Sequence, residues 1–191
     1  MGGSCCGKTT VSRRLGALLG VPHIELDALH HEPGWREAPT EVFQARVSAA
    51  LDAAPEGWVA DGNYRSKLGD LVLEMADTAV LLEPPFLRTL GRAFSRTIRR
   101  TITREELWNG NTEQVRHVFR SDWIPIWVIR THRHYKRQNS ERVAAHPHLT
   151  IVRLRSDADV EAFLQSIQAT ESMSGSSNGS ERQNTPPFVE T

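Results

Sequence analysis

The chain has 191 residues, enough for one domain with a complete hydrophobic core and a short tail. Its 23 Lys and Arg balance its 23 Asp and Glu, so no net field draws it to nucleic acid or to an anionic membrane. No apolar run approaches the roughly 18 residues of a membrane span, the N-terminus lacks the basic and apolar regions of a signal peptide, and the only two cysteines, Cys5 and Cys6, are adjacent; a reducing, cytoplasmic protein without structural disulfides or a cysteine metal site is expected.

In chain order, the first feature is Gly-rich: residues 2–9 read GGSCCGKT. Val11, Leu15, Leu18 and Leu19 then recur at helical spacing, with Gly20 as the stop. A short strand is predicted around His23–Leu26. Thr40 is expected to cap a helix that presents Phe43, Val47, Ala50 and Leu51 on one side. Trp58–Ala60 and Thr78–Leu82 read as buried strands, and a helix should follow Pro84 and Pro85. Residues 111–138 look mostly helical with a kink at Pro125. Leu149–Leu154 reads as a strand and Asp157–Gln168 as a helix packing through Val160, Phe163, Leu164 and Ile167. Strands alternating with helices predict an α/β fold with a parallel sheet covered on both faces. The body spans residues 1–169. Residues 170–191, rich in Ser, Gly, Asn and Pro, are predicted to be a disordered tail.

Residues 2–9 fit G-x-x-x-x-G-K-[ST] at every fixed position. Gly2, Gly3, Ser4, Cys5, Cys6 and Gly7 supply a run of backbone N–H groups that can form an anion nest. The helix that follows adds its positive end, where Thr10 also lies. Lys8 is placed to reach the β- and γ-phosphates of ATP or GTP, and Thr9 to offer a hydroxyl to Mg²⁺. The thiols either fill space in the loop or have a pKa lowered by the helix end and lysine. A phosphate loop ordinarily follows a buried strand, yet here it begins at Gly2. The first strand is therefore expected to be missing or truncated, with an incomplete N-terminus preferred over a sheet that lacks its centre.

Two aspartates end consecutive predicted strands, Asp27 in HIELD and Asp61 in WVAD, followed by Gly62, Tyr64 and Arg65. In parallel α/β sheets ligands sit outside the carboxyl ends of strands, which aims both at the crevice of Lys8. Each could instead begin a turn or cap a helix.

With these segments in hand, the sequence resembles the adenylate kinase-like P-loop kinases, and in particular the small bacterial proteins called DNA topology modulation proteins. The resemblance rests on GGSCCGKTT, HIELDALHHEPGW, ADGNYR, TAVLLEPPFLRTLGR and RRTITREELWNGN, which cover most of residues 2–155 in order. It implies a three-layer P-loop NTPase fold of nucleotide-kinase type with a five-stranded parallel sheet, bound ATP or GTP, and a mobile arginine-bearing lid, here around residues 86–110. It also implies that Asp61, Gly62 and Arg65 lie beside the phosphoryl acceptor and that Asp27 holds an acceptor hydroxyl.

Between Phe86 and Arg104 there are six arginines and no acid, and Arg88, Arg92, Arg96 and Arg100 follow at i+4 steps along one helix face. Planar guanidinium groups match the charge that spreads over a transferring phosphoryl group. Arg92 and Arg96, with Arg133 from a second basic cluster (Arg130, Arg133, Lys136, Arg137), are candidates to close over the γ-phosphate. A solvated helix face or a nucleic-acid grip are the rival readings. Trp35, after Pro33-Gly34, either touches the acceptor or closes its loop. His30 and His31 serve as acid or base, or lie in a surface turn.

These readings converge on an ATP-dependent kinase acting on a small acceptor. Lys8, Asp27, Asp61, Arg92, Arg96 and Arg133 carry the chemistry, Thr9 and Asp61 hold Mg²⁺, and His30, Trp35, Tyr64 and Arg65 surround the acceptor. The alternative is a nucleotide-dependent DNA-binding regulator with little phosphotransfer.

Overall fold

In the computed structural model the described residues are 1–3, 5–103, 109 and 137–177. Ser4, Arg104, Trp108, the predicted helical span from 111 to 136 with Arg133, and the tail beyond Ser177 lie outside them.

The elements run α1 (Lys8–Leu19), β1 (His23–Glu25), α2 (Leu26–His30), β2 (His31–Glu32), β3 (Arg36–Glu37), α3 (Thr40–Asp52), β4 (Val59–Asp61), α4 (Arg65–Leu68), α5 (Leu71–Met75), β5 (Thr78–Leu82) and α6 (Phe86–Thr103). A helical stretch over residues 137–144 (α7), then β6 (Thr150–Leu154) and α8 (Asp157–Ser177), complete the described chain. The architecture is mixed α/β. Parallel pairing joins β1 to β4, with Glu25 opposite Asp61, and β5 to β6, with Leu82 opposite Leu154. The short antiparallel pair β2–β3 frames Pro33, Gly34 and Trp35.

Several elements shift from their predicted limits for local reasons. β1 stops at Glu25, and Leu26 turns into α2, so Asp27 sits in the first turn of a helix rather than at a strand end. Thr40 is the first helical residue and Pro39 the cap position, because proline's fixed φ suits the entry and leaves no N–H to satisfy. α8 does not stop at Gln168 but continues through Ser177, so the predicted tail begins as helix. Its start is a capping box. The Ser156 hydroxyl accepts from the Asp159 N–H at 3.1 Å, and the Asp159 carboxylate accepts from the N–H groups of Ser156 and Arg155 at 3.1 and 2.8 Å.

Three apolar clusters hold these parts. Phe43, Val47 and Leu51 of α3 pack on Ile24 and Leu26, each such burial worth about 1.5–3 kcal/mol. Leu73, Ala79, Leu81, Val143 and Leu149 join α5 and α7 to β5. Cys6, Val11, Leu82 and Leu154 seat the Gly-rich loop and α1 on the β5–β6 pair. An Arg142–Asp70 ion pair at 2.6 Å clamps α7 to the turn before α5.

Met1 lies alongside β5. Its amine donates to the Val80 carbonyl and its own carbonyl accepts from the Leu82 N–H at 2.8 Å. Burial lowers the amine from its ordinary 8.0 to about 6. The unfolded chain thus binds more protons between pH 6 and 8, and stability should rise with pH across that window by about 3 kcal/mol, the penalty being complete below pH 6. Urea midpoints at pH 5.5 and 8.5 test this. Acetylating the Met1 amine should remove that part of the pH dependence, and an unchanged slope would refute it.

Candidate functional site

The Gly-rich loop leaves Met1 through Gly2, which has no room for a side chain. A Cβ there would lie 2.8 Å from the Leu82 carbonyl oxygen and 2.6 Å from the Cys6 sulfur. Asn63, just beyond β4, donates to the Gly2 carbonyl at 2.6 Å. The loop is therefore tied to β5 on one side and to the exit of β4 on the other. Cys5 (φ 60°) and Gly7 (φ 97°) turn the chain through left-handed backbone before α1 begins at Lys8. Alternating handedness of this kind points successive N–H groups to one side, as an anion nest requires. Lys8 folds back and donates to the Gly3 carbonyl at 2.9 Å.

A cleft of about 1250 Å³ opens above this loop. Cys5, Cys6, Gly7, Lys8, Thr9 and Thr10 line it from below, and Asp27, Trp35 and Asp61 from one side. Asp61 is only 6% exposed, and His23 lies 3.2 Å from its Oδ2, which fixes the carboxylate. The Tyr64 hydroxyl donates to Asp27 Oδ1 at 2.5 Å. Burial first, then this bond to a carboxylate, pushes the phenol well above its usual range, so it stays a donor.

His30 is not in a surface turn. It is 3% exposed, with its ring 5.0 Å from Phe43 and 4.4 Å from Tyr64. Lys67 Nζ lies 2.8 Å from His30 Nε2 and, having only protons to give, makes that nitrogen an acceptor. The ring proton is therefore assigned to Nδ1, which has no hydrogen-bond partner among the described residues. Burial, then the Lys67 charge, lowers the His30 pKa, so the imidazole is neutral. His30 does not line the cleft, and it supports Tyr64 and Asp27 from behind. Gly62 packs on Leu26, and Arg65 is exposed; neither lines the cleft.

α6 also lines the cleft, with Arg88, Arg92, Arg96 and Arg99; the Arg100 side chain lies outside the described residues. Arg92 donates to the Cys6 carbonyl at 3.2 Å and pairs with Asp157 Oδ1 at 2.6 Å. Arg88 takes Asp157 Oδ2 at 3.0 Å. Asn109 donates to the carbonyls of Ala28 (3.4 Å) and His31 (2.5 Å), in and just after α2, the helix that carries Asp27.

Of the residues expected from sequence, the structure brings the loop from Cys5 to Thr10, Asp27, Trp35, Asp61, Arg92 and Arg96 to one cleft. Gly2 and Gly3 lie behind the loop beside β5. Sequence reasoning missed His23, Asn63 and Asp157. His23 carried a signal, since it starts the strand paired with the one that ends at Asp61. Asp157 carried none, being far along the chain in an unremarkable helix start. Comparison of the chain with protein-family models and with curated proteins finds no match.

Proposed function

We propose that the chain is a P-loop kinase of three-layer, nucleotide-kinase-like architecture, transferring the γ-phosphoryl group of ATP or GTP to a small hydroxyl-bearing acceptor. One observation carries the reading: the Cys5–Thr9 part of the GGSCCGKT segment, with Lys8 at the start of α1, lines the same cleft as Asp27, Asp61 and a row of arginines.

The roles follow from placement. The loop N–H groups and Lys8 bind the phosphates, Lys8 exchanging the Gly3 carbonyl for a phosphoryl oxygen. Arg92, already against Cys6 and Gly7, meets the charge that develops on the transferring group. Thr9 and Asp61 offer the hard oxygen donors that suit Mg²⁺, and that ion supplies Lewis-acid neutralisation when bound. Asp27, held by Tyr64 through one oxygen, keeps the other for an acceptor hydroxyl and takes its proton. The new bond forms between acceptor oxygen and γ-phosphorus as the bond to the nucleoside diphosphate breaks. The presence of four arginines along the cleft supports a lid over the nucleotide rather than an outward grip on nucleic acid.

Calorimetric titration of Mg-ATP into the full chain, beside Lys8→Ala, tests the reading. Charged hydrogen bonds of this kind contribute roughly 1.5–3 kcal/mol, so the variant should bind at least tenfold more weakly. A folded parent chain that takes up no nucleotide would sink the proposal.

A further inference from the structure

Two neighbouring histidines, neither of them lining the cleft, stand in opposite settings. His30 ends α2 and His31 opens β2, where it pairs with Glu37 of β3. Their rings meet edge to face at 4.7 Å. On His30, Lys67 meets Nε2 as a donor at 2.8 Å and leaves the ring proton to Nδ1. Lys67 is fixed there, since it also gives protons to Glu37 Oε2 at 2.8 Å and to the Ala38 carbonyl at 3.3 Å.

His31 meets the reverse demand. Its Nε2 lies 3.4 Å from the Tyr64 hydroxyl oxygen. That hydroxyl has one proton, and its contact with Asp27 Oδ1 at 2.5 Å is the shorter and the charge-assisted one. The phenol oxygen is left with lone pairs, and among the described residues the donor within reach of them is an N–H at His31 Nε2. Two bonds then run one way, from imidazole to phenol to carboxylate, each polarising the next. The direction does not reverse, because burial and the carboxylate keep the phenol protonated. The His31 ring is braced for this task, with the Trp35 ring 5.4 Å away on one side and His30 on another.

We propose that His31 is a positioning residue for Asp27: its Nε2–H holds Tyr64 as a donor to Oδ1 and so leaves Oδ2 for the acceptor hydroxyl. This rests on the kinase reading of the cleft. His31 touches no substrate and acts through Tyr64. A donor at Oδ1 disfavours a proton there, so the proton that leaves the acceptor oxygen is received by Oδ2 as the bond to phosphorus forms. The two adjacent imidazoles accordingly carry their protons on opposite nitrogens, Nδ1 in His30 and Nε2 in His31.

Nitrogen-15 NMR of the full chain with labelled histidine, at about pH 8.5 where ordinary imidazoles are neutral, reads both tautomers. The His31 Nε2 proton should resonate downfield, as a hydrogen-bonded N–H does, and lose that shift in Tyr64→Phe while His30 keeps its proton on Nδ1. A His31 proton on Nδ1 overturns the proposal, as does an Nε2 proton that Tyr64→Phe leaves unmoved. The functional arm follows Mg-ATP hydrolysis, with water standing in as the acceptor. His31→Leu should lower kcat about two- to tenfold, the range for one neutral hydrogen bond, at an unchanged KM for Mg-ATP. His31→Gln, whose side-chain amide puts an N–H near the place of Nε2, should regain most of it. A leucine variant as fast as its parent overturns the proposal. So does a glutamine variant no faster than leucine, since the ring would then act by packing alone. If the parent neither binds nor turns over Mg-ATP, the kinase reading fails by itself. The hydrogen-bond chain is then still judged by the NMR arm, upheld by a downfield shift lost in Tyr64→Phe and overturned by its absence. Should His31→Leu not fold, Tyr64→Phe takes its place in the hydrolysis assay, and an unchanged rate there counts against the chain.

Discussion

Asp27→Asn is expected to lower turnover by about 10²–10⁴-fold, the range for a lost general base, while Mg-ATP affinity stays within about threefold. The asymmetry follows from geometry. Asp27 lines the cleft but bonds to Tyr64 rather than to the Gly-rich loop. An asparagine there can still receive the Tyr64 hydroxyl, so the local fold survives. It cannot take a proton from an acceptor. The measurement is steady-state turnover, followed by ³¹P NMR, with the acceptor found by screening; a variant as fast as its parent would remove Asp27 from the chemistry.

Phe43→Ala should cost about 3–5 kcal/mol of stability, the usual penalty for emptying a buried phenylalanine site. Phe43 is fully buried at the centre of the α3 cluster. It also stands 5.0 Å from both the His30 and Tyr64 rings. The cavity therefore opens directly behind the tyrosine that holds Asp27, and turnover should fall in conditions where the variant is still folded. Urea unfolding gives the first effect and activity well below the transition the second. A stability loss under 1 kcal/mol would show that this cluster is not the core it looks to be.

Much of this was legible in the sequence because it was local. GGSCCGKT, the proline entry to α6 and the strand runs each rest on neighbours a few residues apart. The arginine face of α6 was readable from its i+4 spacing alone. What escaped depended on contacts between distant parts. Nothing near His30 announces that Phe43 and Tyr64 will bury it, or that Lys67 will approach its ring. The Asp157 partnership with Arg88 and Arg92 spans some two-thirds of a hundred residues, and hydrophobic period carries no record of ion pairs. The short α2 was hidden because five residues are too few to show a helical period.

The capping box at α8 has a consequence for the cleft. Because Asp159 and Ser156 satisfy the helix start, Asp157 is spared that duty and serves as a resident counter-ion for two guanidinium groups a turn apart. Like charges at that spacing repel, and the carboxylate between them keeps α6 seated on the loop. The pairs are half exposed, and exposed pairs are held by only about 1 kcal/mol or less. On the proposed reading, a phosphate arriving between Arg88 and Arg92 would perform an ion exchange, replacing one weakly held anion with another, and the attraction at that pair would be the difference between the two.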